Sequence, residues 1–227
     1  WLKRGQKKAL AKGADILLAV ELSPELPFGE QRLHCALVTA DSGDFYSKPM
    51  LSNALAQGKT PAQLVGTAAD AMAAQLGVRL LKETRASGID RARKALLTDR
   101  GEVPYARLVL ALGADPIRLT LAGNAADAVL SVNDLADYAR LRAALDGVRS
   151  VAILGAGLIG CEFANDLAAA GHAVTVLDPA AWPLATLLPQ AAGEALLAPL
   201  EKLGVTWRLG QAVTQVDHSE SGYRLTL

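Results

Sequence analysis

The sequence is poor in cysteine. Its 227 residues hold two, Cys35 and Cys161, too far apart to form a CxxC or CxxxxC pair. Neither a disulfide framework nor a cysteine-based metal site is expected, and no metal ligands are assigned. An excess of one charge is also missing. Lysine and arginine total 23, as do aspartate and glutamate, whereas a nucleic-acid surface would need a clear basic excess. Long apolar runs are absent too: Ile16 to Val20 falls far short of the ~20 residues of a membrane-spanning helix. The basic start (Lys3, Arg4, Lys7, Lys8, Lys12) lacks the apolar stretch and cleavage site of a signal peptide and reads as a solvated chain end. Neither membrane nor nucleic acid is expected as a partner, and reduced thiols fit a cytoplasmic location. The chain opens on Trp1 rather than Met, which fits a fragment.

What is present is core-forming material. Hydrophobic residues make up 51% and charged residues 20%, enough to bury a core and too little charge for disorder. Leu33–Thr39 reads as a buried strand, followed by the loop DSGDFYSKPMLS. A helix is expected from Thr60-Pro61 through Leu76, stopped by Gly77. Val78–Leu81, Ala95–Thr98 and Leu108–Leu112 read as strands, with a turn at Gly101. Ser131–Leu145 reads as a helix capped by Ser131 or Asn133 and ended by Gly147. From Ser150 the order is strand, glycine turn, helix, strand (Ala173–Asp178), helix (about Gln190 to Leu203), then a hairpin turning near Ser219–Gly222. Strands alternating with helices predict an α/β fold of two Rossmann-like parallel-sheet units, residues 1–120 and 121–227.

The second unit opens on VAILGAGLIGCEFANDL. An apolar strand buried on both faces, Val151–Leu154, is expected before the turn. Gly155 permits a tight turn, Gly157 leaves bare backbone for a pyrophosphate, and Gly160 lets the helix pack against the strand. Leu158 and Ile159 open the helix, whose free N–H groups and positive dipole end face the phosphates. Asp178 ends the next strand at the distance where a carboxylate meets the adenosine ribose. It would repel a 2′-phosphate, which favours NAD(H) over NADP(H). Strand, glycines, helix and acid together are far more specific than the glycines alone. Cys161 reads as a packed thiol.

Four stretches carry a resemblance: GAGLIGCEFANDL, FYSKPMLS, YARLVLALGADPIRL and GVRLLKETRASGID. Together they resemble the rubredoxin reductases of the FAD-dependent pyridine nucleotide–disulfide oxidoreductase superfamily, from about residue 33 onward. The resemblance implies a partial FAD domain (1–120) into which an NAD(H) domain (121–227) is inserted. It implies hydride transfer from NADH to FAD and single-electron transfer to rubredoxin, a small iron protein. It also implies residue roles. Asp41 would meet the FAD ribose, and Lys48 would sit by the flavin. Ala86 would meet the adenine, and Ala111, Leu112 and Gly113 would run beneath the FAD. Glu162 would lie near nicotinamide and flavin, so Lys48 and Glu162 are the catalytic candidates. Read without the resemblance, Asp41 is a turn residue, Lys48 a surface lysine and Glu162 a first-turn glutamate favoured by the helix dipole.

The pattern departs in places. Before residue 40 the only glycines are Gly5, Gly13 and Gly29, so the FAD-side glycine triplet is missing and ADILLAVELSPELPFGEQ stands in its place. Asn53 stands where related ferredoxin reductases often carry lysine. The chain also stops before the family's second FAD contact. Two alternatives therefore accompany the rubredoxin reading: a dinucleotide-binding module that has lost FAD, and the NADH component of a ferredoxin or nitrite reductase. A disulfide reductase is disfavoured, because paired redox cysteines are lacking.

Overall fold

The computed structural model describes residues 16–22 and 33–227. The basic start and the rest of ADILLAVELSPELPFGEQ lie outside those residues. The chain divides into two compact units. One takes residues up to Lys48 with Val65–Asp115, and the other takes Pro49–Leu64 with Pro116–Leu227. The second unit thus includes a strap from the first half of the sequence, which a single cut at residue 120 does not contain.

The first unit is built on strands β1 (Ile16–Leu22), β2 (Leu33–Thr39), β3 (Phe45–Tyr46), β4 (Val65–Thr67), β5 (Arg79–Leu81), β6 (Ala86–Asp90), β7 (Ala95–Thr98), β8 (Gly101–Pro104) and β9 (Arg107–Ala111). Its main sheet has the order β5-β2-β1-β9. β2 and β5 run parallel, but β1 lies antiparallel to both β2 and β9, with Ile16 opposite Thr39 and Ala111. This sheet is mixed where a wholly parallel one was expected. β6, β7 and β8 form a separate antiparallel sheet. Val38 and Leu96 pack together beneath Leu81, Ala86, Val103 and Leu108.

The helix expected over residues 60–76 is broken. Pro61–Leu64 forms α1 and Ala69–Leu76 forms α2, while β4 between them pairs with β3. Val65 and Thr67 are β-branched and Gly66 is a poor helix former, so this stretch favours extended backbone. Asp44 accepts the Ala69 N–H at 2.9 Å, capping α2 from another segment. Gly77 ends α2 at φ +63°, as its position suggested.

In the second unit α3 (Leu135–Ala144) is capped by Asp134, not Ser131 or Asn133: its carboxylate accepts the Asp137 N–H at 2.7 Å in a capping box. Strands β10 (Ser150–Leu154), β11 (Ala173–Asp178) and β12 (Val205–Leu209) form a parallel sheet in that order. Helix α4 (Leu158–Ala169) joins β10 to β11. The strand Val151–Leu154 is not buried on both faces. Ala152 is exposed, and one face of the sheet borders a cavity of about 350 Å³ lined by Ala152, Thr175, Leu177, Arg208, Leu225 and Leu227. The helix expected over 190–203 forms two pieces, α5 (Gln190–Glu194) and α6 (Leu197–Lys202). Pro199 explains the break: inside one continuous helix it would remove a hydrogen bond and clash, whereas in a first turn it is tolerated. β13 (Gln215–Ser219) and β14 (Gly222–Thr226) form the expected hairpin.

Candidate functional site

Where β10 meets α4, the chain turns through Gly155, Ala156 and Gly157. Gly155 adopts φ +117°, a conformation other residues rarely reach. A Cβ on Gly160 would sit 2.0 Å from the Gly155 carbonyl oxygen, so only glycine lets the helix come this close. Gly157 differs: a Cβ there would meet nothing within 4 Å. Packing therefore does not require glycine at 157; what its bare backbone leaves is open space.

Ala156, 2% exposed, is held from both sides. Its N–H donates to Asp178 Oδ2 at 2.6 Å, and its carbonyl accepts the Leu184 N–H at 2.8 Å and the Cys161 thiol at 3.4 Å. Leu184 sits at φ +57°, an uncommon backbone for leucine that this contact helps hold. The turn is preorganised rather than pliable. Gly157 is the N-cap of α4 and supplies no capping side chain. The first N–H groups of the helix, at Leu158 and Ile159, thus have no side-chain cap, and both residues are about half exposed.

Asp178 ends β11 beside this turn. Its other oxygen accepts the Ala180 N–H at 2.7 Å. Each carboxylate oxygen has two lone-pair directions, so each keeps one for a further donor. A ribose diol supplies two. Pyrophosphate against Gly157 and ribose against Asp178 therefore fit the residues present.

Glu162 is the fifth residue of α4, which puts it beyond the first turn. Its Oε2 accepts the Ser52 hydroxyl at 2.5 Å. One turn further, Asp166 is only 2% exposed and accepts the N–H groups of Leu55 at 2.8 Å and Ala56 at 2.9 Å. Tyr138 is buried and donates its hydroxyl to the Lys59 carbonyl at 3.0 Å; burial pushes its phenol above the ordinary value. The strap 49–64 is thus bonded to α4 and α3. Cys161 is buried, and desolvation, followed by the charges of Asp178 and Glu162, pushes its thiol upward, which suits packing rather than nucleophilic chemistry.

The remaining sequence-assigned residues belong to the first unit. Thr39 and Ala111 pair with the same residue of β1, so the carboxyl ends of β2 and β9 flank it. Asp41, Leu112 and Gly113 follow those ends directly. Glu83 donates its N–H to the Asp41 carbonyl and Thr84 to that of Thr39, which brings the approach to Ala86 to the same end. Strand carboxyl ends are where open α/β sheets take ligands. The Asp41 carboxylate accepts the Thr39 hydroxyl at 2.6 Å and the Gly43 N–H at 2.8 Å, which makes it a turn former whatever else it does. Lys48 opens the 3-10 turn Lys48–Ser52 and makes no ion pair among the described residues. The fit to FAD is partial. Because β1 is antiparallel, its carboxyl end, Leu22, lies at the opposite end of the sheet. Among the described residues there is no metal-binding cluster and no helix long and apolar enough to cross a membrane.

These features have counterparts in known proteins. The profile of the pyridine nucleotide-disulphide oxidoreductase family matches residues 26–227. The chain belongs to this family. Two relatives in it are a rubredoxin-NAD(+) reductase from Alcanivorax borkumensis and a nitric oxide reductase FlRd-NAD(+) reductase from Aeromonas hydrophila. The first is 43% identical over 190 residues, 84% of this chain and 50% of that protein. The second is 39% identical over 192 residues, 84% of this chain and 49% of that protein. The crystal structure of a ferredoxin reductase from Rhodopseudomonas palustris matches with a TM-score of 0.74 and 27% identity, over 84% of this chain and 47% of that one. The chain spans about half the length of the curated relatives it matches.

Sequence reasoning missed Ser52, Asp166 and Leu184. Ser52 and Asp166 act across about a hundred residues, and Leu184 acts through its backbone. The buried position of Asp166 on the apolar side of α4 was the one available signal, because an unpaired carboxylate is not left there.

Proposed function

We propose that this chain belongs to an NADH-dependent flavoprotein reductase that delivers single electrons to a small iron carrier of the rubredoxin type. The family, and the relatives named for rubredoxin and flavorubredoxin reduction, support this reading. FAD, when bound, supplies the exchange of a two-electron hydride for two single electrons. The chain's residues do the rest. Gly157 admits the NADH pyrophosphate, and the N–H groups of Leu158 and Ile159 face its charge. Gly155 and Gly160 hold the turn, and Asp178 grips the adenosine ribose and repels a 2′-phosphate. Glu162 orients the nicotinamide end. Asp41, Ala86, Ala111, Leu112 and Gly113 line the FAD side, and Lys48 places positive charge near the flavin.

The observation that carries the nucleotide part is the open space at Gly157 beside a carboxylate with lone pairs to spare. Titration of the chain with NADH and NADPH tests it. NADH is expected to bind more tightly, and Asp178→Asn is expected to erase most of the preference. Preference for NADPH in the unaltered chain would show that Asp178 does not read the ribose.

A module that holds NADH but not FAD is the alternative, and the family and its relatives do not favour it. The colour of the purified chain separates the two: yellow with flavin absorption supports the reductase, and colourless protein that binds NADH supports the module.

A further inference from the structure

Glu162 and Asp166 lie one turn apart on α4 and face the same strap. They differ in how their oxygens are used. Both Asp166 oxygens are taken by backbone N–H groups. Glu162 has only Oε2 engaged, by Ser52, and its Oε1 accepts no hydrogen bond among the described residues. Ser52 is itself 3% exposed and braced: its oxygen lies 3.3 Å from the Pro49 carbonyl and 3.5 Å from the Asn53 amide nitrogen. A hydroxyl has one proton, and at 2.5 Å that proton goes to the carboxylate, the stronger acceptor. A glutamate otherwise free to rotate about three side-chain torsions is pinned by one end with the other presented.

We infer that Ser52 is a positioning residue that holds Glu162 with Oε1 turned to the nicotinamide carboxamide of the bound dinucleotide. The inference rests on the NADH reading above. It adds that the strap, and not only the glycine turn, sets affinity for the nicotinamide end. Oε1 can accept one N–H of the carboxamide, and the fixed rotamer removes the entropy cost of finding it.

Two ligands isolate this role: NADH, and ADP-ribose, which shares the pyrophosphate and adenosine but lacks nicotinamide. Both are titrated by calorimetry into the 227-residue chain and its Ser52→Ala variant. Ser52→Ala is expected to weaken NADH roughly tenfold to a hundredfold, the range of a lost hydrogen bond to a charged group. ADP-ribose affinity is expected to stay within about twofold, which lies below the tenfold step of one such bond. Ser52→Cys, which keeps the volume with a weak donor, is expected to behave like Ser52→Ala and replaces it if the alanine variant does not fold. Equal weakening of both ligands would reveal a merely structural serine, and unchanged NADH affinity would remove any role; either result overturns the inference. If the unaltered chain binds neither ligand, the dinucleotide reading itself fails and takes the inference with it.

Discussion

Asp166 offers the sharpest perturbation of the architecture. The carboxylate is 2% exposed and accepts two N–H groups of the strap, those of Leu55 and Ala56. Asp166→Ala removes both acceptors at once. Leu55 is 8% exposed, so its N–H is left without water or partner, at about 1–3 kcal/mol. Ala56 is exposed, so its N–H turns to water at about 1 kcal/mol or less. The sum is about 1–4 kcal/mol, a sizeable share of the 5–15 kcal/mol typical of a folded domain. For a chain of this size it corresponds to a fall in Tm of roughly 2–16 °C. Asp166→Asn keeps one acceptor but turns an NH₂ group toward the other N–H, so an intermediate loss is expected. Thermal melting gives the total, and hydrogen exchange at the Leu55 amide locates it. A Tm within about 2 °C of the unaltered chain, with Leu55 still protected, would refute the claim that this carboxylate anchors the strap.

Two further outcomes follow from the ionisable groups. Cys161 is buried with its thiol pushed upward, while Cys35 is partly accessible and both are free. Iodoacetamide near pH 8 is therefore expected to label Cys35 well before Cys161, with Cys161 reacting only after unfolding; rapid labelling of Cys161 in the native chain would contradict this. Asp217 accepts the Asn124 N–H and the Gln215 side chain, and these bonds, the first more than the second, hold its carboxyl below the ordinary range. Its contribution is complete above the ordinary value near 4 and is lost as pH falls through the lower folded value. Protection of the Asn124 amide is expected to fall only once the pH drops below the ordinary carboxyl value near 4 in the unaltered chain, and to change little in Asp217→Asn; matching profiles would argue against the link.

Much of the fold is legible in local pattern. Ala173–Asp178 and Ala95–Thr98 are apolar runs between turn residues, and both form strands with those bounds. The glycine turn declares itself because the same short stretch holds the strand, the turn and the helix start. Other features depend on partners distant in sequence. β4 forms because β3 is there to pair with it, and Val65-Gly66-Thr67 alone sits within an otherwise helical pattern. The direction of β1 shows only in its antiparallel pairing with β2 and β9, and an apolar run carries no sign of direction. Ser52 reads as part of a polar loop until α4 brings Glu162 to it. Pro199 was readable, since proline inside a helical stretch is a break signal.

The central claim is that bare backbone at residue 157 is kept for a pyrophosphate. Gly157 has φ −73°, which alanine adopts freely, and open space where its Cβ would stand. Titrating NADH into the unaltered chain and into Gly157→Ala, with melting curves for both, tests the claim directly. Saturable binding to the unaltered chain, lost in a variant of undiminished Tm, is the expected result. A Gly157→Ala chain that binds NADH as tightly as the original would contradict it.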